Sequence, residues 1–319
     1  MKKIIFVLMC LTTSSVVKLY AQQDPQYTMY MWNQLSVNPA YAGSRECLSA
    51  TALYRTQWVK LEGSPRTMNI GLHSPLRNER VGLGINLTTD QLGVSSFTNF
   101  SGSYAYRLPV NAIGKLSIGL QATITTISHR FNSLTVFDDG DLNFTNPIKN
   151  YTVGNFGTGL YYSTSKSYVG LSVPHLVNNR LYEKSNGAIA NSIARQYRHL
   201  FLMAGHVFSV SDAVKIKPSG LVKFVPNAPA EMDANFTIIF SDALWLGSSF
   251  RSNFSKVALQ RVESIDLMAI YEINKTFRVG FAYDITLSKL RNYNSGSYEL
   301  MLGYDFSQQN RKIATPRYF

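Results

Sequence analysis

The residues able to do chemistry are few and scattered. His73, His129, His175, His199 and His206 make no metal-ligand spacing with one another, with Cys10 or Cys47, or with a carboxylate. No GxSxG occurs, so a nucleophile elbow is absent from the sequence. Asp138, Asp139 and Asp141 resemble a cation-binding cluster, but an acidic stretch inside a long loop reads first as solvated surface. No catalytic residue, metal or cofactor is expected from this pattern, although a site assembled across distant strands leaves no local motif.

The elements that hold these residues are strands. In Phe277 to Ile285 the residues Phe277, Val279, Phe281, Tyr283 and Ile285 alternate with Arg278, Gly280, Ala282 and Asp284. In Tyr298 to Phe306 an aromatic and aliphatic set alternates with Glu299, Met301, Gly303 and Asp305. A period of two gives each strand one apolar and one polar face. A soluble sandwich would turn the apolar face inward, whereas a membrane barrel turns it to lipid and the polar face to a wet lumen.

The N-terminus bears on that choice. Lys2 and Lys3 precede an apolar stretch from Ile4, and Leu19-Tyr20-Ala21 precedes Gln22, so residues 1–21 read as an export signal cut near Ala21. The apolar run is shorter than the roughly 20 residues of a spanning helix. Met9 before Cys10 is a poor small residue for lipidation. Removal of the signal leaves 298 residues, lowers the formal charge from +12 to +9, and leaves Cys47 without a disulfide partner. Charged residues are 16% of the chain and aromatic ones 13%, a shift away from soluble domains, which carry about 25% charge. Lys and Arg occur without a run of five or more, so nucleic acid is not an expected partner. A mature chain in a membrane must then be a closed sheet.

Taken in order, residues 22–47 form an N-terminal segment. Asp24 and Pro25 read as an N-cap and first helical residue, Asn38-Pro39 as a stop, and the helix between them as a plug or wall support through Tyr27, Tyr30 and Trp32. Alternation then gives about 14 strands over residues 48–306, an all-β antiparallel transmembrane outer-membrane barrel. Links after even-numbered strands have six residues or fewer, and most links after odd-numbered strands are longer, with Pro226–Ala230 a short exception. Short periplasmic turns and long outward loops produce that parity. The apolar faces carry no ionised side chain, as expected where Lys or Arg costs about 2–4 kcal/mol at the bilayer midplane. The opposite faces hold Arg55, Lys223, Arg251, Arg278, Asp284, Glu299 and Asp305. Residues 307–319 read as a periplasmic tail, either overhang or docking peptide.

Several stretches together resemble one family. They are DPQYTMYMWNQLSVNPAYAG at the start, YRTQWVKLEGSPRT with Trp58, GLSVPHLVN, KIKPSGLVKFV, LWLGSSFR, FAYDITLSKL and the closing PRYF with Arg317, Tyr318 and Phe319. These motifs are similar to those of the PorP/SprF outer-membrane proteins of Bacteroidetes, over essentially the whole mature chain. Tyr298 stands where the family pattern would have His. The resemblance implies membership of the type IX secretion and gliding apparatus and no catalytic residue. It also implies partners: outer-membrane lipid, the C-terminal domain of a secreted adhesin-like protein, and periplasmic secretion components. The leading expectation is a barrel that binds, exports or anchors that protein. Its candidate plug or contact residues are Asp24, Pro25, Tyr27, Tyr30, Trp32, Asn38, Pro39, Arg55, Trp58, Lys223, Arg251, Asp284, Arg317, Tyr318 and Phe319. A core role on the periplasmic ring and a plugged solute channel are the alternatives, with a hydrolase a third. Deleting Ile313 to Phe319 is expected to lower surface display of the partner without unfolding the barrel.

Overall fold

A computed structural model describes residues 24–77, 79–130, 148–179, 196–226, 228–254, 262–274, 276–306 and 318–319. The signal stretch, the Asp138–Asp141 acidic cluster and Arg317 lie outside the described residues. Fourteen antiparallel strands form one closed sheet. They are β1 (Leu48–Thr56), β2 (Arg66–Pro75), β3 (Val81–Leu92), β4 (Ser95–Pro109), β5 (Lys115–Arg130), β6 (Ile148–Ser163) and β7 (Ser167–Val173). Then follow β8 (Leu200–His206, resuming at Phe208–Ser209), β9 (Val214–Phe224), β10 (Glu231–Phe240), β11 (Leu244–Asn253), β12 (Val262–Ile273), β13 (Phe277–Thr286) and β14 (Ser297–Phe306). Each pairs with its sequence neighbours, and β14 pairs with β1 from Leu48↔Phe306 to Thr56↔Tyr298, which closes the barrel and leaves no free edge.

The side chains take the arrangement a membrane imposes. In β14, Leu300 and Leu302 are 53% and 50% exposed, while Glu299 is 0% and Met301 1%. The apolar face therefore points outward and the charged face is sealed inside, the reverse of a soluble sandwich. Among the described residues no helix is long and apolar enough to cross a membrane, so the strands alone span it.

Two details depart from the alternation reading. The β3–β4 link is only Gly93-Val94, because Asp90, Gln91 and Leu92 continue the ladder against Phe97, Ser96 and Ser95. It is thus a second short link on the long-loop side. In β8 the ladder breaks at Val207 and resumes in the same register, Ser219↔Gly205 before and Ile216↔Phe208 after. Pro218 of β9 stands within this gap and has no N–H to give, while on the β7 side the Val207 N–H donates to the Lys166 carbonyl at 2.8 Å.

The links at the β1-start end of the barrel have three to five residues. This is the periplasmic end, and the opposite end, with the 131–147 and 174–199 links, is the outer one.

Candidate functional site: a lumen filled by the chain's own segment

The N-terminal segment lies inside the barrel, and it is not the helix expected from Pro25 to Leu35. It forms three one-turn 3-10 elements, Tyr30–Trp32, Gln34–Ser36 and Pro39–Tyr41. An α-helix would satisfy its own backbone, but a thin, irregular strand of chain fits a lumen whose walls offer their own donors and acceptors. Apart from half-buried Ser36, every residue from Tyr27 to Gly43 is buried. Asp24 is not an N-cap. Its carboxylate lies 3.3 Å from His175 Nδ1 and 3.4 Å from His199 Nδ1, and its N–H donates to His199 Nε2 at 3.3 Å. Both histidines belong to the outer β7–β8 link, so the described segment starts at the outer mouth and descends toward the periplasm.

Four sets of contacts fix the descent. Near the outer end Gln26 donates to Glu231, which also pairs with Lys223 at 2.6 Å. One turn deeper, the Glu299 carboxylate accepts the backbone N–H groups of Thr28 and Met29 at 2.8 and 2.7 Å and Arg55 Nη1 at 3.0 Å. Arg55 also pairs with Asp284 and donates to the Thr28 hydroxyl at 2.7 Å, and that hydroxyl donates on to Asp284 at 2.8 Å. Arg55 and Glu299 are direct cross-strand neighbours on β1 and β14, so barrel closure itself assembles this pair. Beside it Arg251 pairs with Asp233 at 2.7 Å and donates to the Tyr27 carbonyl at 3.3 Å.

Lower down, the Tyr30 hydroxyl accepts from Asn235 at 2.8 Å and Asn33 donates to Asn69 at 2.8 Å. Trp32 meets Trp245 edge-on with ring centroids 4.5 Å apart. Asn38-Pro39, read as a helix stop, instead opens a turn: the Asn38 Oδ1 accepts the Ala40 N–H at 2.9 Å, while its Nδ2 donates to the Leu160 carbonyl at 2.9 Å. At the inner end Arg45 pairs with Asp305 at 2.8 Å, and Asp305 also takes Arg278 at 3.0 Å.

The wall makes room with glycine. A Cβ on Gly119 of β5 would sit 2.2 Å from the Ala40 nitrogen, and one on Gly82 of β3 would sit 2.0 Å from the Ala42 carbonyl oxygen. Neither glycine is required by the strand itself.

Two cavities remain around the start of the segment in the outer half. One, of about 80 Å³, lies between Tyr27, Phe201 and a neutral polar wall that includes Asn99, Gln121 and Thr123. The other, of about 420 Å³, is lined by Arg55, Trp58, Arg251, Glu263, Asp284 and Lys289. Trp58 sits half-buried in the β1–β2 link with φ 45°, its N–H donating to Ser297 Oγ at 3.2 Å. It belongs to the outer vestibule and not to the plug. Tyr318 and Phe319 do not hang below the barrel as the overhang reading expects. Tyr318 is buried in the inner mouth, and its carbonyl accepts from Lys217 Nζ at 2.7 Å. Among the described residues no group of three His, Cys, Asp or Glu is placed to hold a metal ion.

Of the candidate residues, Tyr27 meets Arg251 directly, while Arg55 and Asp284 grip the neighbouring Thr28; Asp24, Tyr30, Trp32 and Asn38 are held by His175 and His199, Asn235, Trp245 and Leu160 instead. The structure sets Lys223 and Trp58 at the outer vestibule and Tyr318 and Phe319 at the inner mouth. In the sequence Lys217 reads as one charge among several on the polar strand faces, and His175 and His199 as scattered histidines, none with a partner; Arg45, Trp245 and the glycines carry no signal. Glu299 and Asp305 were legible as lumen-facing from alternation alone, but not as the residues that grip the plug.

A closed, lipid-faced barrel of this construction is an outer-membrane β-barrel whose lumen its own N-terminal segment fills. Several solved structures are similar to this chain. The CymD monoaromatic hydrocarbon channel superposes with a TM-score of 0.53 at 11% identity, over 87% of this chain and 94% of that one. Acinetobacter baumannii Omp33 gives 0.47 at 9% identity over 82% and 99%, and a Pseudomonas aeruginosa FadL homologue gives 0.42 at 9% over 82% and 89%. A comparison with curated proteins finds no match. The family described as type IX secretion system membrane protein PorP/SprF matches residues 19–304, and the chain belongs to it.

Proposed function

We propose that the protein binds, helps export or anchors a secreted surface protein such as an adhesin, taking part of that protein's C-terminal region into the outer vestibule. The proposed setting is the outer membrane of a gliding or secreting cell, after removal of a signal near Ala21, and the proposed role is non-enzymatic. The observation that carries the reading is the division of the lumen: the N-terminal segment closes it at mid-depth, while the outer half keeps two cavities with fixed charges at their edges. A site open to the outside and closed behind suits a receptor. Membership of a type IX secretion family supplies the class of partner. The core alternative, docking on a periplasmic secretion ring, would use the inner face instead.

The test is co-purification from detergent-solubilised outer membrane with mass spectrometry. The reading expects one large secreted protein with the wild type and its loss with Trp58→Ala/Lys289→Glu, which alters vestibule residues outside the plug network. Ring lipoproteins in place of a secreted protein would favour the core role. A barrel that comes through alone and passes solutes would favour a channel, as the CymD monoaromatic hydrocarbon channel is.

A further inference from the structure

The inner mouth holds a cluster around Lys217 that the outer vestibule does not use and that plug anchoring shares through the Trp32–Trp245 contact. Lys217 of β9 is 1% exposed, and among the described residues its partners are one carbonyl and a ring of aromatic faces rather than a carboxylate. Its Nζ lies 5.5 to 6.0 Å from the ring centroids of Trp32, Trp245, Tyr168 and Phe319. Two of those rings are wall, one is plug, and one comes from the far end of the sequence. The same far segment places Tyr318 at 6.2 Å from Trp245, with Lys215 Nζ 5.3 Å from the Tyr318 ring, and Phe319 at 5.1 Å from Tyr168.

A buried ammonium among aromatic faces is stabilised by the ring quadrupoles, and the stabilisation grows as water leaves. The Phe319 ring is one of the four, so emptying the site removes a cation–π partner and the carbonyl that accepts from Lys217. The contact is small, two side chains and one hydrogen bond, and beside it a cavity of about 200 Å³ lined by Arg45, Arg107, Lys115 and Tyr161 stays open. The site is wider than the two residues seated in it.

We propose that the inner mouth is a binding site for an aromatic dipeptide segment, held in cis by Tyr318 and Phe319 and exchangeable for an aromatic peptide of a second protein on the periplasmic side. Aromatic rings supply the recognition, and the carbonyl between them supplies the hydrogen bond to Lys217. The proposal concerns the inner mouth, so its failure leaves the outer-vestibule reading untouched.

The experiment uses the full-length barrel in detergent and a fluorescent peptide with the sequence of residues 314–319, read by anisotropy. The Tyr318→Ala/Phe319→Ala protein, its fold checked by heat-modifiable gel mobility, is expected to bind the peptide at least about tenfold more tightly than wild type, since the cis competitor is gone. Adding Lys217→Met should abolish that difference. Equal binding to both proteins, or equal binding of a peptide whose two aromatics are alanine, overturns the proposal. Exchange is read separately in a Cys47→Ser/Tyr318→Cys protein. Excess unlabelled peptide should raise the labelling rate of the introduced thiol severalfold, and an unchanged rate overturns exchange.

Discussion

At the scale of single residues, the lumen is governed by charges that are buried and matched. Arg55 holds two carboxylates, Asp284 and Glu299, which also bind Thr28 and Met29 of the plug. Arg55→Met would leave Glu299 without its cation and Asp284 with Arg251 alone, 4.0 Å away, and breaking a buried pair in this way costs about 3–5 kcal/mol. Urea unfolding followed by gel mobility should show the loss, and a change under about 1 kcal/mol would mean the network is solvated. The outer latch is weaker and depends on pH. Burial opposes ionisation of Asp24, but the His199 and His175 imidazoles and the Lys223 ammonium outweigh it and hold its carboxyl well below the usual range. Burial likewise opposes the charge on His175, and the Asp24 carboxylate outweighs it and raises the imidazole. The depressed acid contributes fully above its ordinary value of 3.8 and is lost as pH falls through its native value; the raised histidine contributes fully below 6.5 and is lost as pH rises through its own. The latch is therefore strongest from about pH 4 to 6.5. Hydrogen exchange at Gln26 and Tyr27 should be slower, relative to the intrinsic rate, at pH 6 than at pH 8.5. Equal protection at both would exclude the ion pair.

At the scale of elements, plug and wall are fitted by the absence of side chains. Gly82→Val would force Ala42 and Gly43 away from β3, since even a Cβ there meets the Ala42 carbonyl, yet valine is a good strand residue. The sheet should keep its circular dichroism while the inner end of the plug opens. Cys47, buried at 5% exposure, reports on this directly: its alkylation should speed up by roughly tenfold or more, as local opening permits. An unchanged rate would mean the plug yields without leaving. The strands themselves were legible because alternation is a short-range signal, and Asp284, Glu299 and Asp305 could be set on the inner face by counting. The plug was not legible as built. Asp24-Pro25 and Asn38-Pro39 carry helix-boundary chemistry; Asn38-Pro39 uses it to start a 3-10 turn rather than to stop a helix. For Asp24, two histidines far away in sequence, His175 and His199, override the local signal. The partners of Arg45 and Lys217 are equally distant, and the role of Gly119 is visible only when Ala40 stands against it.

At the scale of the molecule, closure and plugging are one construction. The β14–β1 seam that removes the sheet edge also places Glu299 beside Arg55, and that pair grips Thr28 and Met29. The lumen is then continuous only as two separate mouths, an outer vestibule and an inner aromatic site. The measurement that tests this most directly is conductance in planar bilayers. The account predicts no steady current from wild-type protein and stable openings once residues 24–43 are deleted from the refolded barrel. Steady conductance from the wild type, equal to that of the deletion, would contradict it.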